Sequence, residues 1–319
     1  MAGVTVGEGL KAASRILLSR RRPLLAHVVV SRYCNLECAY CSEYDKVSKP
    51  VPLETLLGRI DALARLGTQI VTLTGGEPLT HPGHDRIVER IRALGMLATT
   101  ITNGFLLTAK KIQGMNAAGL QELQISIDGV KPDHISKKTL KSLMGKLKLL
   151  AEHARFHVNI NSVLGMSETR THEALEVAET ARAMGFSHTV GVLHDGEGAL
   201  SPLSANQRRV YHRLMRKGSL AHRINYLMFQ KNLMAGKANA WRCRAGARYL
   251  YICEDGLVHY CSQQRGRPGI PLAQYGPADI AREYDTPKPC APFCTVSCVH
   301  QASFLDAWRS PQRALAATL

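Results

Sequence analysis

The sequence predicts an α/β fold: six consecutive β/α units forming a parallel sheet, followed by a small cysteine-rich α+β extension. Three observations carry this. Runs rich in β-branched residues alternate with helix-length amphipathic segments from residue 27 to residue 195. Four of the strand runs end in cysteine, glycine or acidic loops, and in parallel β/α folds the active site lies at the carboxyl ends of the strands, so these loops share one mouth. The cysteines form two groups, Cys34, Cys38 and Cys41 near the start and Cys243, Cys253, Cys261, Cys290, Cys294 and Cys298 near the end.

In chain order, residues 1 to 26 come first. "VGEGLKAASRILLSRRRPLL" puts Leu10, Leu17 and Leu18 near one helical face beside Lys11 and Arg15, and the first 25 residues carry five basic residues and one acidic. Two readings fit this helix: a cap on the base of the β/α domain, or a basic amphipathic helix lying on anionic lipid. The strands are "HVVVSRY" (27–33), "QIVTLTG" (69–75), "ATTITNG" (98–104), "ELQISID" (122–128), "HVNINSVLG" (157–165) and "SHTVGVLHD" (187–195). Between them "PLETLLGRIDALARLG" and "HEALEVAETARAMG" repeat apolar residues at three-and-four spacing and close on glycine, as helices do. The β/α domain spans 27–200; residues 201–240 read as a bridge of basic helices, and the cysteine-rich domain as 241–319.

With 319 residues, 45% hydrophobic and 6% aromatic, the chain can bury one large core plus a smaller extension. No apolar run approaches the roughly 20 residues needed to span a bilayer, and the N-terminus lacks the apolar core of a signal peptide, so the expected compartment is the cytoplasm, with the inner membrane face as the second reading. The formal net charge is +16; residues 201–250 hold eleven Lys or Arg and no acid, and "SKKTLKSLMGKLKLL" adds five lysines. This is either a solvated basic surface or the footprint of an anionic partner: a phosphorylated substrate, nucleic acid or membrane.

Three thiols in "CNLECAYC" cannot pair internally, and clusters of cysteines in a reducing cytosol are metal ligands more often than disulfides. A structural zinc takes four ligands, so three leave a vertex open, and a cubane held by three cysteines leaves one iron free. The spacing CxxxCxxC after the first strand, with Tyr40 before the last cysteine, resembles the signature of the radical S-adenosylmethionine (SAM) superfamily. "GGEP" (Gly75, Gly76, Glu77, Pro78) resembles the family motif whose backbone and Glu contact the amino group of SAM, and "SIDG" with Ser126 and Asp128 resembles the fourth-strand segment that contacts its ribose or carboxylate. The resemblance implies a partial (β/α)6 parallel barrel in which Cys34, Cys38 and Cys41 hold a [4Fe–4S] cluster that binds SAM. It also implies a reductant such as flavodoxin or ferredoxin, and a 5′-deoxyadenosyl radical that takes hydrogen from the substrate. Other readings stand beside these: Gly75 and Gly76 as a turn, Asp128 as a helix N-cap, Thr102 and Asn103 as turn residues rather than SAM contacts. Asn159 and Asn161 face one side of the fifth strand, where Asn161 touches SAM or substrate if that side lines the barrel.

In "CRAGARYLYICEDGLVHYC", twelve residues separate Cys243 from Gly256 and four separate Gly256 from Cys261. Two strand-like runs around "EDG" read as a hairpin that returns the distant cysteines to one end. The pattern resembles the CX(9–15)GX(4)C hairpin of SPASM and twitch extensions, which bind auxiliary iron–sulfur clusters. "CAPFCTVSC" departs from the full SPASM run CX(2)CX(5)CX(3)C, and six thiols cannot fully ligate two cubanes with four cysteines each. The resemblance therefore implies one auxiliary [4Fe–4S] cluster in a twitch-like domain, held by Cys243, Cys261 and two of Cys290, Cys294 and Cys298, with Cys294 and Cys298 the chosen pair. Cys253 reads as a small buried hydrophobe or a further ligand, and zinc is the other reading of this segment. Three functions remain: hydrogen abstraction from an anionic small-molecule or peptidyl substrate; the same chemistry on a lipid or polyprenyl-linked substrate at the membrane; and a non-enzymatic iron–sulfur protein that binds nucleic acid. Nucleic acid is the least expected partner, because "GGEP" and "SIDG" would have no task there.

Overall fold

The structure, a computed structural model, describes residues 22–165, 168–192 and 202–309. The N-terminal helix expected over residues 1–26 lies outside the described residues as far as 21; its expected end is corrected, since residues 22–24 are not helical and Leu25 and Ala26 open the first strand, in register with Ile70 and Val71. Strands β1 (Leu25–Ser31), β2 (Ile70–Gly75), β3 (Leu97–Thr102), β4 (Glu122–Ser126), β5 (His157–Leu164) and β6 (Ser187–Val192) are parallel and lie in chain order. They are joined by α1 (Leu53–Arg65), α2 (His84–Ala93), α3 (Ala109–Ala118), α4 (Leu140–His153) and α5 (Glu173–Ala183). Thr108 and Thr139 start α3 and α4 by accepting the backbone N–H of Lys111 and Ser142.

The period-2 alternation of the strands divides the molecule. On β1, Ala26, Val28 and Val30 join the main apolar core with Leu56, Ile60, Ile87 and Leu147 of the surrounding helices. The opposite face is polar: His27, Thr72, Thr99, Gln124, Asn161 and Thr189, one from each strand, line a single cavity of about 330 Å³. Six strands converging on one cavity require a sheet curved into a barrel, and the barrel is partial because β6 is a sheet edge.

The basic bridge forms helices as expected. α6 (Ala205–Arg216) opens on a capping box from Ser204 and Gln207; α7 (Leu220–Asn225) continues through a π-helical turn, Tyr226–Gln230, into α8 (Lys231–Met234). The cysteine-rich segment adds β7 (Tyr249–Ile252), β8 (Leu257–His259), β9 (Pro268–Pro271), α9 (Pro277–Asp285) and α10 (Ser297–Phe304). The expected hairpin is β7–β8, and it extends the barrel sheet rather than starting a new one: β7 pairs parallel with β1, Tyr251 opposite His27, in the order β6-β5-β4-β3-β2-β1-β7-β8-β9. β9 was not expected from "PGIP"; a proline-bounded strand is tolerated at the sheet edge, where its missing N–H leaves no neighbour unbonded. His222 of α7 and Ser297, Cys298 and Gln301 of α10 line the barrel cavity on its unstranded side.

Candidate active site

The loop after β1 carries Cys34, Cys38 and Cys41, the first two buried and the third half-buried. Its two ends are tied together: Cys34 N–H donates to Asp45 O at 3.2 Å and Asp45 N–H to Arg32 O at 2.8 Å. Within the loop Cys41 N–H reaches Cys38 O at 3.0 Å, and Lys46 Nζ donates to Cys34 O at 2.9 Å. The loop is pinned to the β4 side of the mouth by Ala39 N–H on Ile135 O at 3.0 Å.

Gly75 and Gly76 answer a close approach of β2 to β1. A Cβ on Gly76 would lie 2.3 Å from Arg32 O and 2.4 Å from Tyr33 O, and one on Gly75, at φ 128°, would lie 2.2 Å from Ser31 O. Only glycine lets Gly76 N–H bond Ser31 O at 2.8 Å and Glu77 N–H bond Tyr33 O at 2.9 Å. The Glu77 carboxylate is fully buried and turned inward. It accepts Leu79 N–H at 3.0 Å and Thr102 Oγ1–H at 2.6 Å on Oε1, and Asn103 N–H at 2.7 Å on Oε2. Burial pushes its pKa up, against these three bonds. Pro78, also buried, starts the short turn Pro78–Thr80 where an N–H is not needed. Thr102 is thus part of the Glu77 clamp, while Asn103 turns toward the cysteines: its Nδ2 lies 2.8 Å from Asn35 Oδ1 and 3.6 Å from Cys34 Sγ.

At the end of β4, Asp128 is not a helix cap. Its Oδ2 accepts Tyr40 O–H at 2.5 Å and Ser136 Oγ–H at 2.7 Å and pairs with Lys138 Nζ at 3.2 Å, while Lys138 also donates to Tyr40 Oη at 2.6 Å. Burial opposes the charge on Lys138, but Asp128 and Tyr40 more than offset it, so the pKa of its ammonium is raised. Tyr40 is shifted upward by burial and by Asp128. Asp128 Oδ1 is buried and has no donor among the described residues. Ser136 Oγ lies 3.8 Å from Cys38 Sγ, which links this network to the thiols. Lys138 and Ser136 belong to the lysine run "SKKTLK", where no local pattern marks which lysine turns inward. Ser126 is half-buried and sits in register with Asn161. Asn159 and Asn161 do share a side: Asn159 donates to Gln124 and Thr189, and Asn161 accepts from Thr189 at 3.0 Å.

The second thiol group gathers beside the start of β7. Cys294 interacts electrostatically with Cys243, Cys261 and Cys290, and Cys261 with Cys243 and Cys298. Burial holds the thiols of Cys243 and Cys261 up at about 11 and about 12. Cys290 is exposed and Cys298 half-buried. Cys298 borders the barrel cavity and takes a hydrogen bond from Tyr249. Among the described residues no three of these sulfurs, nor of the first group, lie within 4.8 Å of one another.

Cys253 is set apart, at the far end of β7, with ligand atoms of Asp255 and His259 within 4.8 Å. Gly266 N–H donates to His259 Nδ1 at 2.8 Å, and burial lowers the histidine pKa, so the neutral ring carries its proton on Nε2 and offers no lone pair there. Glu43, two residues after Cys41, takes Tyr251 O–H and, at 2.5 Å, Arg265. β7 therefore touches the first cysteine loop through Tyr251 and the second thiol group through Tyr249, with His27 stacked edge-on to Tyr249 at 5.1 Å between centroids. The sequence reading missed these aromatic and acidic links, which join segments about 200 residues apart and carry no motif.

A family model described as Radical SAM superfamily matches residues 28–199. Among curated proteins, GTP 3',8-cyclase of Helicobacter pylori strain J99 is 28% identical over 165 residues, 49% of this chain and 51% of its own. AdoMet-dependent heme synthase of Methanosarcina barkeri is 37% identical over 99 residues, 30% of this chain and 28% of its own. The chain thus spans about half the length of the cyclase. Among solved structures, Streptococcus suis SuiB bound to precursor peptide SuiA aligns with TM-score 0.60 at 16% identity, over 80% of this chain and 63% of its own. The structure titled anSMEcpe with bound AdoMet and Cp18Cys peptide aligns with TM-score 0.57 at 14% identity, over 90% of this chain and 98% of its own. At such identities these two show the fold.

Proposed function

Since the chain belongs to the radical SAM superfamily, a family that binds a [4Fe–4S] cluster and SAM, we propose that it is an enzyme abstracting hydrogen from an anionic small-molecule or peptidyl substrate held in the barrel cavity, aided by one auxiliary [4Fe–4S] cluster. Cys34, Cys38 and Cys41 would hold the SAM-binding cluster. When bound, it supplies the low-potential electron for reductive cleavage of SAM. The donor set fits: three free thiols on one tied loop, with an N–H from Asn103 toward Cys34 and no fourth cysteine in the loop. Gly75 and Gly76 let the β2 loop approach the cysteine loop, Glu77 fixes it, and the unpartnered Asp128 Oδ1 is left to accept a hydroxyl or ammonium of SAM. Ser126 and Asn161 border the same strand ends, where they would orient SAM or substrate.

One observation carries the reading: β7 connects both thiol groups, through Tyr251 to the Cys41 loop and through Tyr249 to Cys298, along the wall of the cavity lined by His27. Cys243, Cys261 and Cys294 would form the common set of the auxiliary site, with Cys290 and Cys298 flanking its fourth position. The substrate classes are supported by relatives: one is named for GTP, the other was solved with a precursor peptide. The eleven basic residues of 201–250 suit an anionic group.

The test is anaerobic reconstitution with iron and sulfide quantitation, and a dithionite-driven assay for 5′-deoxyadenosine. About eight irons per chain are expected. Replacing Cys34, Cys38 and Cys41 by Ala should remove about four of them and abolish SAM cleavage; retained cleavage refutes the assignment. Cys243→Ala should remove the other half of the iron and spare SAM cleavage, and full iron content in that variant would sink the auxiliary site.

A further inference from the structure

Helix α7, its π-helical turn and α8 bury one face, with His222, Tyr226, Phe229, Leu233 and Met234 against the domain. A surface helix with one buried stripe should be polar on the other side. This one is not. Leu220, Leu227 and Met228 are 72%, 62% and 49% exposed, and with Ile224 they repeat at helical three-and-four spacing. The stripe continues onto α10: Ile224 and Phe304 line an apolar groove of about 400 Å³ with Leu24, Ile70 and Leu305, and Met228 and Phe304 line a second of about 230 Å³. Trp308, 65% exposed, stands just past it. An apolar surface of this extent on a soluble face marks an interaction site.

The charge of the segment that carries the stripe has one sign. Arg216, Lys217, Arg223, Lys231, Lys237 and Arg242 are exposed, none has an ion-pair partner among the described residues, and no Asp or Glu occurs from 201 to 250. Asp306, which borders the Met228 groove, is buried and paired with Arg248, and Glu179 and Asp285 are paired with Arg213 and Arg244.

We propose that the outward face of Leu220–Met234, with Trp308, docks on the surface of an anionic lipid bilayer. Apolar side chains on a segment whose exposed cations carry no ion pairs among the described residues, with an exposed indole on the turn that follows α10, match the layering of acyl chains beneath anionic headgroups. Nucleic acid would match the charge but leave the apolar stripe unburied. The occupant is thus set by charge complementarity and apolar continuity together. This inference is independent of the substrate reading above, since it concerns where the enzyme sits.

The test is flotation of the full-length reconstituted protein with vesicles of phosphatidylcholine alone and with about a third phosphatidylglycerol. Binding to the anionic vesicles only, weakened by salt, is expected. The double variant Leu227→Glu, Met228→Glu should cut the bound fraction about tenfold or more, with unchanged circular dichroism and iron content; Arg223→Glu, Lys231→Glu, which leaves the apolar stripe intact, should weaken binding and flatten its salt dependence. No binding by the wild type, or wild-type binding by Leu227→Glu, Met228→Glu, overturns the proposal. So does a deletion of residues 1–21 that alone abolishes binding while that variant still floats, and so does self-association of the wild type that disappears in the variant without any lipid effect, since the face would then be a contact between copies.

Discussion

A buried carboxylate costs several kcal/mol unless donors meet its oxygens, and Glu77 is met by three from the adjoining turn and strand. The bonds to Thr102 and Asn103 make the β2 and β3 loops one unit, and Asn103 carries that unit on to Cys34. Glu77→Gln keeps the shape but turns an amide NH2 toward either the Asn103 N–H or the Leu79 N–H and Thr102 hydroxyl. We expect a loss of about 2 kcal/mol in urea unfolding, together with weaker SAM binding by equilibrium dialysis; unchanged stability would mean the carboxyl is already protonated. At this scale the cysteines, glycines and Glu77 were legible, because each sits in a dense local pattern. Lys138 and Glu43 were not, because what distinguishes them from neighbouring lysines and glutamates is a partner remote in sequence.

At the scale of the element, the β7–β8 hairpin shows how a turn is held. Arg59 of α1 donates to Cys253 O at 3.0 Å and Glu254 O at 2.8 Å, clamping the turn from outside. Gly256 completes it at φ 83°, where a Cβ would meet Arg59 Nη2 at 2.9 Å. Gly256→Ala therefore carries both backbone strain and displacement of the clamp, and should lower stability by about 1–3 kcal/mol. Thermal unfolding of the variant checks this, and an Arg59→Ala, Gly256→Ala double variant should show a cost smaller than the sum, since the clamp is lost only once. The hairpin itself was readable from its alternating residues and "EDG" turn. Its attachment to β1 was not, because any strand with a free edge could have received it.

Over the whole molecule, the curved sheet buries histidines on both of its faces and keeps them neutral. Burial lowers His27 and His222, which line the cavity, to about 4, and lowers His188, half-buried on the opposite face of β6 beside Ser162, to about 3. A histidine lowered in the folded state binds its proton more readily when unfolded, so its contribution is fully present above pH about 6.5 and is lost as pH falls toward the folded value. Each of the three should cost about 3 kcal/mol between neutrality and pH about 4. Urea midpoints measured from pH 7.5 downward should fall steeply below pH about 6.5, and His188→Gln should blunt the fall; a flat profile would show that water reaches these rings.

By itself the sequence determined the six β/α units, their parallel sheet and a mouth shared by the loops of Cys34, Gly75, Asn103 and Asp128, because periodicity and turn chemistry are local and parallel β/α connections leave few alternatives. Only the tertiary structure decided that the cysteine hairpin extends the barrel sheet, that Tyr249 and Tyr251 connect the two thiol groups, that Cys253 stands apart from them, and that an apolar stripe remains exposed among the cations of 201–250. Those outcomes depend on which surfaces are left to face each other once the core has formed, and no window of sequence contains both partners.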